Sequence, residues 1–112
     1  KHLAVQAGIG FMGKNTILCN EHFGNLMTIG AILLNIDLPS DNLCKNYCPP
    51  KCHICIDNCP AHAINEDGTV NQSLCRPIAY GTIFRSYSTV ECNRCRMGCP
   101  LRFGVKREAI KE

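Results

Sequence analysis

Apolar residues near the start of the chain concentrate in two runs, residues 16–20 (TILCN) and residues 26–36 (LMTIGAILLNI). Both runs have the composition of strands and the EHFGN segment between them that of a turn, so the pattern predicts a hairpin or two neighbouring strands. The second run is apolar on both faces, which is typical of a strand that is covered on both sides. We expect sequence upstream of Lys1 to supply that cover.

Short helices are predicted on both sides of these strands. Residues 2–7 have the pattern of a helix that ends at Gly8, because glycine suits the left-handed position after a helix. Residues 65–70 predict a small hairpin with an Asp-Gly turn. Asn71 is a suitable cap for a further helix, which we expect to carry Cys75 and to continue through Phe84. The mixture predicts an α+β fold.

A glycine-rich segment, GIGFMGKNT at residues 8–16, matches Gly-x-Gly-x-x-Gly by letter and nearly matches a phosphate loop. Both nucleotide motifs fail on context, because a phosphate loop needs a strand before it, a helix after it and a hydroxyl residue directly after its lysine. Here Asn15 follows Lys14. Closely spaced glycines still indicate a backbone that lies close to a planar cofactor or to another part of the chain.

The composition is that of a small domain with an unusual number of thiols. Hydrophobic residues make up 46% of the 112 residues, but that share includes ten cysteines, so the apolar core is modest unless metal clusters add to it. The formal charge is +3 and the basic residues concentrate in residues 76–112. Such a basic end either binds phosphate or compensates nearby negative charge. No apolar run approaches the length of a membrane span.

The cysteines form two runs that share the core Cys-x2-Cys-x3-Cys-Pro. The members are Cys52, Cys55, Cys59 and Pro60 in the first run and Cys92, Cys95, Cys99 and Pro100 in the second. In the bacterial ferredoxin pattern, three closely spaced thiolates hold one 4Fe-4S cluster and the thiolate before the proline ligates the other cluster. The pattern therefore predicts two clusters with crossed ligands.

Each cluster needs one more cysteine. Cys75 is the natural addition to the second run, whereas the first run offers two choices. Cys48 lies closer to Cys52 than Cys44 does, and a loop that surrounds a cluster must deliver its first two thiolates within a few residues, so Cys48 is favoured. The crossed sets are then Cys48, Cys52, Cys55 and Cys99 for one cluster, and Cys75, Cys92, Cys95 and Cys59 for the other.

Two other kinds of cysteine chemistry compete with this interpretation. A zinc ribbon formed by Cys52, Cys55, Cys92 and Cys95 is conceivable, but the gap between its halves is about twice the usual one. Disulfides would require a secreted protein, and we expect no signal peptide for this chain. Cys19 lies away from both runs, so we expect it to be a small buried hydrophobic residue.

Several of these segments, taken in order, resemble the epoxyqueuosine reductase family. The resemblance covers residues 1–100, from KHLAVQAGIGFMGKNTIL and the HFG turn, through the first cysteine run and AHAI, to a lone cysteine and CNRCRMGCP. The cysteine runs alone are typical of ferredoxin-like proteins. The glycine-rich segment ahead of them makes the match specific.

Enzymes of that family reduce an epoxide on a modified wobble nucleoside of tRNA, using cobalamin fed by two 4Fe-4S clusters, and their fold is related to that of reductive dehalogenases. The resemblance implies that the glycine-rich segment contacts the corrin, through Gly10, Gly13, Lys14, Asn15 and Thr16. It implies the same eight cluster ligands, Cys48, Cys52, Cys55, Cys59, Cys75, Cys92, Cys95 and Cys99. The family's catalytic aspartate would lie upstream of Lys1, so we expect no catalytic residue in this chain.

We therefore expect an α+β chain whose residues 41–101 form a bacterial ferredoxin-like dicluster domain. Residues 1–40 would be a β-hairpin remnant of a cobalamin-binding domain, and residues 102–112 a basic polar tail. The expected function is cytoplasmic electron transfer from a ferredoxin-type or flavodoxin-type donor, with cobalamin in a longer chain, tRNA as a further partner and no membrane. The alternatives are part of a cobalamin-dependent reductase acting on epoxyqueuosine in tRNA, and a zinc-stabilised nucleic-acid-binding module.

Overall fold

The structure is a computed structural model of the whole chain, and it describes residues 1–81 and 89–105. Short elements connected by long irregular segments make up the described part, which confirms a small α+β fold. In chain order the elements are α1 (His2–Gln6), β1 (Phe11–Met12), β2 (Leu18–Cys19), α2 (Ile54–Asn58), α3 (Gln72–Ala79) and α4 (Arg94–Met97). None of the described helices is long and apolar enough to cross a membrane.

The described residues divide into two compact units. The hairpin unit comprises Lys1–Gly13, Ile17–Cys48 and the described residues of Leu101–Glu112. The cysteine unit comprises Lys14–Thr16 and the described residues of Pro49–Pro100.

In the hairpin unit, β1 and β2 pair antiparallel, with Phe11 opposite Cys19 and Met12 opposite Leu18. The predicted partner of residues 16–20 was residues 26–36, so the pairing was wrong and the true partner lies inside the glycine-rich segment. Gly10 permits this pairing, because a Cβ there would lie 2.1 Å from the carbonyl oxygen of Cys19. The second reading of the glycines, a close approach to another part of the chain, is therefore correct at this position.

Residues 26–36 were predicted to be a strand, and this too was wrong. All of these residues are described, and none is assigned to a strand or helix. Their side chains are largely in solvent, with Ile32 85% and Leu33 fully exposed. An isolated extended segment gains neither ladder hydrogen bonds nor buried area, so apolar composition alone does not make it a strand.

The core of the hairpin unit forms around Phe11, Cys19 and Val105. The centroids of the Phe11 and Tyr47 rings lie 5.7 Å apart in an edge-to-face arrangement. Cys19 is only 1% exposed, which confirms that it is a buried hydrophobic residue. The amide of Val105 donates to the carbonyl of Glu21 at 2.8 Å. The residues after Pro100 thus return to the strands at the start of the chain.

In the cysteine unit, the local predictions were largely confirmed. Ile64 and Val70 form an antiparallel bridge around the Asp-Gly turn, where Gly68 has a φ of 83°. The Asn71 side chain accepts a hydrogen bond from the Ser73 amide at 3.0 Å and so caps α3. The predicted extension of α3 was too long, because the helix ends at Ala79. Phe84, its predicted end, lies outside the described residues.

Candidate metal centre

The cysteine unit gathers thiols from both runs around its own small core. Cys55 and Cys59 are buried there with Ala63 and Ile64. Cys75 and Cys95 pack against the same cluster. Cysteines that lie as much as 40 residues apart in sequence therefore share one apolar site.

The thiol of Cys95 shows how these cysteines influence one another. Burial raises the pKa of its thiol, and the neighbouring thiols of Cys59, Cys55, Cys75 and Cys92 raise that pKa further. Thiolates in such a group would repel one another, and a bound metal favours the deprotonated form of its ligands. Four of these five residues, Cys59, Cys75, Cys92 and Cys95, are the predicted ligands of the second cluster.

Two similar helices present the paired cysteines. Cys55 lies in α2 and Cys59 is its C-cap residue, where the chain turns to an extended conformation before Pro60. Cys95 occupies the same place in α4, and Cys99 follows directly after the C-cap Gly98. The two cysteine runs, which share their spacing in the sequence, therefore also share their local structure.

The sulfur of Cys59 accepts a hydrogen bond from the backbone. The Ala63 amide lies 3.4 Å from Cys59 Sγ, in a buried position. His62, just before it, has a φ of 50°, a left-handed turn that directs the chain back toward the sulfur. Amide hydrogen bonds to ligand sulfurs are one of the ways in which proteins set the reduction potential of iron-sulfur clusters.

The remaining candidate ligands are distributed as follows. Cys52 and Cys99 are half-buried in the cysteine unit. Cys48 belongs to the hairpin unit, where both Cys44 and Cys48 pack against its core. Burial and the carboxylate of Glu21 raise the pKa of Cys44. The assignment of Cys48 as the eighth ligand stays a prediction.

Within residues 1–81 and 89–105, no three histidine, cysteine or acidic side chains converge as a site for a single metal ion. A zinc site requires four ligands at about 2.0–2.3 Å from one point. A four-iron cluster is larger than an ion, so its thiolates surround a volume and need not meet at a point. The described residues thus form no ready single-ion site, and the zinc ribbon is not favoured.

Lys14 and Asn15, which the resemblance places beside cobalamin, both bind the backbone of the cysteine unit. Lys14 Nζ lies 2.7 Å from the carbonyl oxygen of Cys52, and Asn15 Nδ2 donates to the carbonyl of Cys95 at 3.0 Å. These contacts were missed at the level of the sequence. The Pro49-Pro50 pair was the one available signal, because two residues without N–H groups leave a loop short of donors.

A cleft of about 590 Å³ opens beside the buried Cys59. Its lining comes from the end of α2 and the residues that follow it, and from α4 and its C-cap: Asp57, Asn58, Cys59, Pro60, His62, Arg94, Met97 and Gly98. Solvent therefore reaches one side of this group of cysteines.

Known proteins resemble this chain in sequence. No family model matches the chain. The epoxyqueuosine reductase of Aliivibrio fischeri is 34% identical over 110 residues, covering 88% of this chain and 29% of the relative. That of Lactococcus garvieae is 31% identical over 114 residues, covering 92% of this chain and 32% of the relative.

A solved structure shows the same likeness in three dimensions. The epoxyqueuosine reductase of Streptococcus thermophilus superimposes with a TM-score of 0.72 at 27% identity, covering 94% of this chain and 30% of that one. Both relatives and this neighbour are named as reductases, a class of oxidoreductases. In sequence and in structure this chain is similar to a part of epoxyqueuosine reductases, and it spans about a third of the length of the relatives that it matches.

Proposed function

We propose that this chain is the iron-sulfur electron-transfer part of an epoxyqueuosine-reductase-like protein and holds two 4Fe-4S clusters. The observation that carries the proposal is the packing of Cys75 and Cys95 against the buried Cys55 and Cys59. Cysteines from both runs and the lone Cys75 thereby meet in one small core. Such a concentration of thiols suits metal ligation, because thiolates are the ligands of iron-sulfur clusters.

The proposed ligands of one cluster are Cys75, Cys92, Cys95 and Cys59. Those of the other are Cys52, Cys55 and Cys99, with Cys48 as the fourth by its spacing in the sequence. When bound, the clusters would accept and release single electrons. The protein's own contribution is to fix the thiolates, to donate the Ala63 amide to Cys59, and to exclude water from the buried side of the group.

The remaining parts of the proposal rest on the family. Its members are named for the reduction of epoxyqueuosine, so we propose that the electrons serve an oxidoreductase reaction on a tRNA nucleoside. Cobalamin would be the immediate acceptor and would bind in a longer protein, beside the glycine-rich segment. A small ferredoxin-type or flavodoxin-type protein would donate the electrons, and the open cleft beside Cys59 gives it one approach.

Metal analysis tests the proposal directly. Anaerobically prepared protein should contain about eight iron and eight acid-labile sulfide per chain. Cys95→Ser should lower both by about half, because it removes a ligand of one cluster, and Cys48→Ser should do the same for the other. Cys44→Ser is the matched control and should leave the iron content unchanged.

Two outcomes would contradict the proposal. Stoichiometric zinc without sulfide would replace the clusters by a structural zinc site. Full iron content in Cys48→Ser together with loss in Cys44→Ser would keep the clusters but reverse the assignment of the eighth ligand.

A further inference from the structure

The tip of the hairpin between β1 and β2 is a three-residue turn, Lys14–Thr16, that belongs to the cysteine unit. The turn is conformationally costly, because Thr16 has a φ of 57°, in the left-handed region that β-branched residues avoid. Such a conformation persists where the surrounding structure holds it in place. The contacts of the first two residues of the turn show what holds it.

Lys14 uses its ammonium group to bind the loop that leads into Cys52. Its Nζ donates to the carbonyl oxygens of Pro49 at 3.2 Å, Pro50 at 2.6 Å and Cys52 at 2.7 Å. A lysine ammonium has three donors, so each one has a carbonyl partner here. Pro49 and Pro50 carry no N–H group. The Cys52 amide donates to the Pro49 carbonyl at 3.1 Å, and Lys14 adds donors from a distant part of the chain.

Asn15 binds the other cysteine run. Its side chain is buried, and its Nδ2 donates to the carbonyl oxygen of Cys95 at 3.0 Å. Consecutive residues of one turn therefore hold the backbone of one cysteine from each run. The two contacts fix Cys52 and Cys95 relative to the same short segment.

We propose that Lys14 and Asn15 are positioning residues for the two clusters, and that the Lys14 ammonium also raises the reduction potential of the cluster ligated by Cys52. This inference rests on the proposed function, since it takes Cys52 and Cys95 as cluster ligands. Reduction adds one negative charge to a cluster, and a fixed, half-buried cation beside it stabilises the reduced form. An exposed lysine has a much smaller effect, because water and salt screen its charge.

The chain supplies a matched control for the charge. Lys51 lies in the same loop, next to Cys52 in sequence, but its side chain is exposed. Lys14→Met should shift the midpoint potential of one cluster to more negative values and leave the other unchanged. Lys51→Met should shift neither, and Lys14→Arg, which keeps the charge, should retain most of the original potential. The potentials are read from an anaerobic redox titration followed by electron paramagnetic resonance.

The positioning role is tested by the rate at which a chelator removes iron. The same measurement can be made on Lys14→Met if that protein holds iron poorly. Asn15→Asp removes the donor to Cys95 at constant size, so iron should be lost to a chelator several-fold faster than from the unmodified protein. Asn93→Asp makes the same chemical change at an exposed residue of the cysteine unit and should stay within about twofold. If Lys14→Met loses iron faster than the unmodified protein, Lys14→Arg should lose it at close to the original rate.

The outcomes separate this inference from the proposed function. Absence of iron and sulfide from the unmodified protein would reject the clusters themselves. A fully loaded protein in which Lys14→Met and Lys51→Met have equal potentials would reject the charge effect. Equal rates of iron loss from Asn15→Asp and Asn93→Asp would reject the positioning role.

Discussion

Gly24 shows how a single residue fixes the hairpin unit. Its φ is 64°, and a Cβ at this position would lie 2.1 Å from the carbonyl oxygen of Arg102. Gly24→Ala should therefore lower the free energy of unfolding by about 2–5 kcal/mol, from left-handed strain and from the clash with backbone. Denaturant unfolding measures the change.

Gly30 is the control for this substitution. It is exposed, its φ is not in the left-handed region, and a Cβ there would have no neighbour within 4 Å. Gly30→Ala should not destabilise the protein by more than about 0.5 kcal/mol. Equal losses at the two glycines would show that the approach of Gly24 to Arg102 does not constrain the fold.

Residue identity predicted some of these features and not others. The cap at Asn71, the turn at Gly68 and the burial of Cys19 follow from local chemistry, so their signals lie within a few residues of the feature. The contacts of Lys14 reach across 35 to 38 residues of sequence, where no local pattern records them. The grouping of the cysteines could be predicted, because cysteines that ligate metals keep a fixed local spacing even when the complete site joins distant parts of the sequence.

At the scale of elements, α3 positions Cys75 and depends on its N-cap. The Asn71 side chain satisfies the Ser73 amide, which would otherwise have no partner inside the helix. Asn71→Ala should lower the free energy of unfolding by about 1 kcal/mol. Gln72→Ala, one residue further on and equally exposed, should change it by less than about 0.5 kcal/mol. Equal effects in denaturant unfolding would show that the cap contributes nothing.

The strands show why element pairing was harder to predict than element existence. β1 is only two residues long and lies among glycines, so it has no periodicity that a sequence pattern could detect. Residues 26–36 have the stronger strand signal and yet form no strand in this structure. Strand pairing depends on a neighbour of suitable register, which composition does not specify.

At the scale of the whole molecule, the proposed ligand sets make the two cysteine runs interdependent. If the thiolate before each proline serves the other cluster, Cys99→Ser should perturb the same paramagnetic spectrum as Cys52→Ser. Cys59→Ser should perturb the spectrum that Cys92→Ser perturbs. Each variant should also lose thermal stability, because metal binding stabilises the folded state. Pairing of Cys99→Ser with Cys92→Ser would show instead that each run binds its own cluster.

The exposed apolar segment has a thermodynamic consequence for the protein as a whole. Ile32, Leu33 and Leu34 are 85%, 101% and 58% exposed in the folded state, so unfolding brings little new apolar surface of theirs into water. Globular proteins gain about 12–15 cal/mol/K of heat capacity per residue on unfolding, mainly from such newly hydrated surface. The gain for this chain should be smaller than its length implies, and its stability should change more gently with temperature.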